Sequence, residues 1–313
     1  MRIQRGAWLV TVVGLMVVGV GLASADDKVP VKKEAAKKES PKKAAKKKEP
    51  PMDKETAALT AAYGDAVKRT MTERPKFDAA AVARSFAALP SFDWGKEYAT
   101  VRPIDDAVIA TQGDAAARKD LETRLAAVLS SGASRDAKGY VCRKLTVIGS
   151  AASVPALAAL LADKDLTHMA RYALERIDAA EAAQALRDAL PKLDGALRVG
   201  VIGSLGARRD AASVTVLVAL LADGDKAAAC AAACALGRIG GVEAGTALGQ
   251  FASHAPEGVN LSAADACLAC AEQLLASGKK AEAKQLYKSL LGQNQPKHVR
   301  LAATRGLLTT AGK

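Results

Sequence analysis

Aromatic side chains are scarce in this sequence: four Phe, two Trp and five Tyr among 313 residues. So few rings leave little surface on which bases could stack, which argues against nucleic acid as a partner. The apolar content rests on alanine and leucine instead, which suits closely packed helices more than sheets. Histidine is scarcer still, with His168, His254 and His298 far apart in the chain. None sits with Ser or Cys in a recognisable nucleophile motif. There is no HExxH, no Walker loop and no GxGxxG after a strand-like run. No catalytic, cofactor-binding or metal-ligating set is therefore assigned. After the N-terminus, no stretch is long and apolar enough to cross a membrane.

What is present is unevenly placed. The formal net charge is +12, yet residues 1–51 carry 12 basic and 5 acidic side chains, leaving 33 and 28 for the rest. The body is nearly balanced and the basic character is N-terminal. Arg2 and Arg5 precede an uncharged run from Ala7 to Gly21, and Ala23-Ser24-Ala25 fits a small-residue cleavage site. The reading is an export signal over 1–25, with the mature chain starting at Asp26 in the periplasm or outside the cell. If uncleaved, the same segment is an N-terminal membrane anchor. No cysteine lies near the site to accept a lipid. Residues 26–51, including KKEAAKKESPKKAAKKKEPP, offer no apolar stripe to bury. That composition predicts a disordered cationic linker. It is a plain spacer, or else residues 28–48 adhere weakly to anionic envelope surfaces.

Residues 52–115 are expected to form a helical cap region. Helix candidates run from Asp53 to Met71 and from Phe77 to Leu89, the second stopped by Pro90. Phe92, Trp94 and Tyr98 concentrate three of the few aromatics in one loop. They are expected to plug one end of an alanine-rich stack, with a ligand pocket as the open alternative.

From there a repeat takes over. SVPALAALLAD at 153–163 returns as SVTVLVALLAD at 213–223. Leu125, Leu157, Leu186, Leu217, Leu248 and Leu286 fall in register, spaced by 32, 29, 31, 31 and 38. Four residues after each comes Leu129, Leu161, Leu190, Leu221, Ala252 or Leu290, on the same helix face. A second helix follows each first one, ending in VIGS (147–150), ERID (175–178), SLGA (204–207) or RIGG (238–241). Turns such as ADKD (162–165) and ADGD (222–225) join the two. Each period is thus a helical hairpin that cannot bury its own apolar face. Stacked copies share one core, which makes the expected fold an all-α solenoid.

The phrases LLADGDKAAACAAACALGRIGGVEAGTAL and LLADKDLTHMARYALERIDAAEAAQAL resemble bacterial HEAT repeats, of the short phycobilisome-lyase type. The likeness covers 116–253. It weakens where GALRVGVIGSLGARRD is read as the first helix of a unit, and after Phe251. Within 254–313, ACLACAEQLLASGKKAEAKQLYKSLL resembles a tetratricopeptide hairpin through Gly278, Ala283 and Tyr287, and a helix over Lys297–Thr310 closes the stack. Both resemblances imply a non-enzymatic scaffold that binds another protein. The lyase-type likeness alone implies a second role, handling a bilin chromophore.

Basic residues recur in or just after the second helices: Arg143, Lys144, Arg171, Arg176, Arg198, Arg208, Arg209 and Arg238. Those helices line the concave side of solenoids. Arg143, Arg171, Arg198, Arg208, Arg209 and Arg238 are therefore read as a candidate groove for acidic partners. The bland alternative is a solvated face paired with turn acids such as Asp165 and Asp225. Cys267 and Cys270 form a CxxC, so an envelope thiol-redox role is a third reading. The helix that carries them is expected to start near Ser262, placing Cys267 beyond the first turn that would acidify it. Cys230 and Cys234 stand one turn apart in an alanine run. Joined with Cys267 and Cys270 they would make a four-thiolate zinc set, but small buried side chains are the default.

Overall fold

The computed structural model describes residues 75–95 and 98–312. The export signal, the basic linker and the helix expected over Asp53–Met71 lie outside those residues. Fourteen α-helices are described, joined by 3-10 turns and loops, with no strand among the described residues. α1 (Ala79–Ala88) and α2 (Arg102–Ala110) open the stack. Six hairpins follow. They pair α3 (Ala115–Leu129) with α4 (Arg135–Ile148), and α5 (Val154–Ala158) with α6 (Thr167–Arg176). Next come α7 (Ala180–Ala189) with α8 (Gly195–Ala207), and α9 (Val214–Ala219) with α10 (Lys226–Ile239). The last are α11 (Gly241–Ala252) with α12 (Asn260–Ala276), and α13 (Lys280–Ser289) with α14 (Lys297–Thr310). No described helix is long and apolar enough to cross a membrane.

Local chemistry sets the boundaries. The Asp114 carboxylate accepts the Ala116 and Ala117 N–H groups at 3.1 and 3.0 Å, and Ser134 and Asp225 cap α4 and α10 likewise. The repeated turns work through one residue. Asp163 accepts the Asp165 N–H at 2.8 Å, and sixty residues later Asp223 accepts the Asp225 N–H at 2.9 Å. The twin phrases fold alike. Each opens on the last residue of a 3-10 turn, Ala151–Ser153 or Ala211–Ser213, and continues into a short helix, α5 or α9.

The hairpins stack in two rows. The second helices α4, α6, α8, α10, α12 and α14 each pack on the next of the series. In the other row α3, α5 and α7 pack in order, as do α9, α11 and α13. The six register leucines all lie inside, five of them with no exposed surface, and so do their i+4 partners. Each such leucine gains roughly 1.5–3 kcal/mol from burial. Second helices meet at very short range. A Cβ added to Gly206 would stand 2.7 Å from the Ala235 Cα, and one added to Gly237 would stand 2.9 Å from the Ala266 Cα.

Two expectations need correction. Residues 195–207 form α8, a second-row helix that packs between α6 and α10. The stretch reads oddly as a first helix because it is not one. In the aromatic cluster only Phe92 is a plug. It is buried against Tyr140 at 5.6 Å between ring centroids, whereas Trp94 is 43% exposed and Tyr98 45%. The Tyr98 hydroxyl donates to the Asp105 carboxylate.

Candidate interaction face

The second helices leave one face open, and it repeats with the stack. On α4 its outward positions are Gly139, Arg143 and Val147; on α6 they are His168, Tyr172 and Arg176. Along α8, α10 and α12 the positions that follow Arg143 and Tyr172 are Gly203, Cys234 and Asp265. Nothing lies within 4 Å of a Cβ placed on Gly203, so the middle of the face is smooth and open. The face is cationic towards α4 and α6, whereas Asp265 and Glu272 stand exposed on α12.

The six groove arginines divide into three kinds. Arg171 and Arg208 belong to the fold. The Arg171 guanidinium lies on Gly200, donating to its carbonyl at 3.0 Å and to Ser204 Oγ at 3.3 Å. Burial pulls its pKa down against the pull of Glu175. Arg208 donates to the carbonyls of Leu174, Ile177 and Ala179 at 2.5, 2.7 and 3.0 Å, closing the C-terminal end of α6. Arg198 is partly spent. It pairs with Asp223 at 2.9 Å; the Asp225 N–H, aided by Arg198, holds that carboxyl below its usual range. Arg143, Arg209 and Arg238 are exposed. Arg209 adopts a left-handed φ of 52° at the end of α8.

Two exposed aromatics carry arginines. Arg143 Cζ lies 4.8 Å from the Trp94 ring centroid, and Arg176 Cζ lies 5.2 Å from that of Tyr172. Trp94 also stacks on Tyr98 at 6.1 Å and 17° between planes. Asp105 anchors this group: it accepts from Tyr98, lies 2.7 Å from the Tyr140 hydroxyl and pairs with Lys144. The bond to Asp105 pushes Tyr98 up to about 12, and burial raises Tyr140 further. Beside Trp94 a small cleft is walled by Arg135, Asp136, Arg143 and Asp165 and floored by Leu166 and Met169. Sequence reasoning took the aromatics and the basic residues as separate features. Their meeting depends on Phe92 and Trp94 lying against the start of α4, where Ser134 donates to the Phe92 carbonyl and the Trp94 N–H donates to Asp136.

The cysteines are dispersed. Cys267 and Cys270 are free thiols with no exposed surface; burial pushes the first up to about 12 and the second to about 11. Cys270 Sγ donates to the Gly241 carbonyl at 3.5 Å. The helix bearing them starts at Asn260, so Cys267 lies well past its first turn. Cys234 is exposed and Cys230 half-buried on the open face, turned away from the buried pair. Among the described residues no three His, Cys, Asp or Glu side chains converge as a metal set.

No family model matches the chain. No curated protein matches it either. Among solved structures it is similar to one described as the crystal structure of an engineered protein, at 23% identity. That match covers 67% of this chain and 96% of the other, with a TM-score of 0.34.

Proposed function

We propose that the chain is an exported HEAT-type solenoid scaffold that binds another protein along its second-helix face. One observation carries the reading. The arginines that the fold needs, Arg171 and Arg208, turn inward, while Arg143, Arg176 and Arg238 turn outward on a face whose centre is smooth. Trp, Tyr and Arg are the residue types that dominate binding energy at protein interfaces. Packing differs between the two rows. Second helices touch through Gly and Ala backbones, whereas clefts open between α5 and α7 and between α11 and α13.

Crosslinking in the native envelope, followed by mass spectrometry, tests the reading. Gly203→Trp places bulk in the centre of the face where nothing crowds it. Partner crosslinks should map to α4, α6, α8 and α10 and disappear in this variant, with its helical spectrum unchanged. Crosslinks that persist, or that map to the first-helix row, would remove the face from the account. Cleaved export gives a mature N-terminus at Asp26; envelope protein that retains Met1 would leave only the anchored form.

A further inference from the structure

We infer that the α4–α6 end of this face docks an acidic segment of the partner protein, with Arg143 and Arg176 receiving its carboxylates. The inference rests on the scaffold reading and narrows the partner's chemistry. Tyr172 holds on α6 the stripe position that Arg143 holds on α4, so Trp94, Arg143, Tyr172 and Arg176 form one patch of alternating rings and guanidinium groups. A ring beneath each guanidinium orients its plane and leaves the N–H edge free. Neither group meets a carboxylate or carbonyl acceptor among the described residues. The contrast with their neighbours is direct. Arg187 is paired with Asp210, Arg198 with Asp223, and Arg208 is spent on three carbonyls. Two oriented guanidinium forks with unspent donors suit bidentate carboxylates. The apolar floor of Leu166 and Met169 suits an aliphatic side chain next to the acid.

The whole face argues for a peptide rather than a uniform polyanion. Asp265 and Glu272 lie three to four second helices away, about 24–40 Å at ordinary interhelical spacing. They would repel a chain of phosphates that ran the length of the face, and would accept a basic residue at the other end of a polypeptide. Two acids line the cleft: Asp136 is spent on the Trp94 N–H and Arg135, whereas Asp165 opposes the acid locally beside Arg143. Its neutralisation should strengthen binding, an effect that no purely structural role explains.

The test uses the full chain and three fluorescein-labelled probes: a peptide of alternating Glu and Leu, the same peptide with Gln for Glu, and single-stranded oligothymidylate. Fluorescence anisotropy in about 0.1 M salt reads affinity. The Glu peptide should bind at least about tenfold more tightly than the Gln peptide. The double variant Arg143→Gln with Arg176→Gln should abolish that preference, and Asp165→Asn should tighten Glu-peptide binding. Both variants lie at the surface, and an unchanged unfolding midpoint will confirm that they fold. Four results would overturn the inference: no binding of the Glu peptide, equal binding of the Gln peptide, tighter arginine-dependent binding of oligothymidylate, or acid preference that survives the double variant. The last would place acid binding on the lysines of 28–48. Loss of crosslinks in Gly203→Trp together with any of these would leave the scaffold reading standing and remove only the acidic docking site.

Discussion

Ser204 on α8 donates its hydroxyl proton to Glu175 on α6 at 2.6 Å, and the position of this bond repeats along the stack. Thirty-one residues on, Gly206 meets Ala235; another thirty-one on, Gly237 meets Ala266. Glu175, Gly206 and Gly237 are one structural position, and Ser204, Ala235 and Ala266 are the position that it touches. Where both residues are small, the two backbones come into contact. Where one is Glu, the neighbour is a hydroxyl that satisfies it. This crossing sets the spacing of the second-helix row.

A side chain at Gly206 should therefore be costly. Gly206→Val would drive a branched side chain into the Ala235 backbone, and overpacking of this kind costs about 1–3 kcal/mol. Gly203→Ala, one turn earlier on the same helix, meets nothing and should gain about 0.5–1 kcal/mol from helix propensity alone. Urea unfolding of both variants checks the pair. Equal effects would mean that α8 does not present Gly206 to α10.

Arg208 should behave as a stability residue and not as a binding residue. Arg208→Ala strips the end of α6 of its side-chain donors and leaves the Leu174 carbonyl without one, while the Ile177 carbonyl keeps the Ala179 N–H at 2.9 Å. The expected loss is about 1–3 kcal/mol. Denaturant midpoints measure it, and partner recovery by the folded fraction should not change. Normal stability with lost recovery would return Arg208 to the groove.

The period, the leucine register, the Asp163 and Asp223 turns and the closing helix at Lys297–Thr310 could all be read in the sequence. Each follows from local periodicity or turn chemistry, which need no neighbour. The direction of each arginine could not be read this way, because the rotation of one alanine-rich helix against the next is set by contact. Two signals were nevertheless present. Small or paired residues recur at 31-residue spacing through Glu175, Gly206 and Gly237. In addition, α4 and α10 are followed by Gly149 and Gly240, but α6 is followed by Ile177. A helix end without glycine needs its carbonyls satisfied from elsewhere, and Arg208 does that.

Leu217 tests the register itself. It sits on α9 with no exposed surface, inside one of the shortest helices, so its neighbours rather than its own helix hold it. Leu217→Ala should cost about 2–5 kcal/mol by the loss of transfer energy and the cavity left behind. Equilibrium unfolding in urea is the measurement. A change below about 0.5 kcal/mol would show that the leucine does not bridge the layers.

The buried thiols make stability fall at alkaline pH. Cys142 and Cys267 are pushed from an ordinary 9.0 up to about 12, and Cys270 to about 11, all by burial. Below pH 9 both the folded and the unfolded chain hold these protons, so the thiols add no slope. Between pH 9 and 11 the unfolded chain releases them and the folded chain does not. The unfolded state then binds fewer protons, and stability falls as pH rises, by about 1.4 kcal/mol per pH unit for each thiol. Urea midpoints at pH 8, 9, 10 and 10.5 should stay level and then drop. Other groups ionise in this range, so the comparison is with the triple variant Cys142→Ala, Cys267→Ala, Cys270→Ala. Its curve should start lower and fall less steeply. Parallel curves would mean that Cys267 and Cys270 ionise as freely folded as unfolded, the condition that a reactive thiol pair needs.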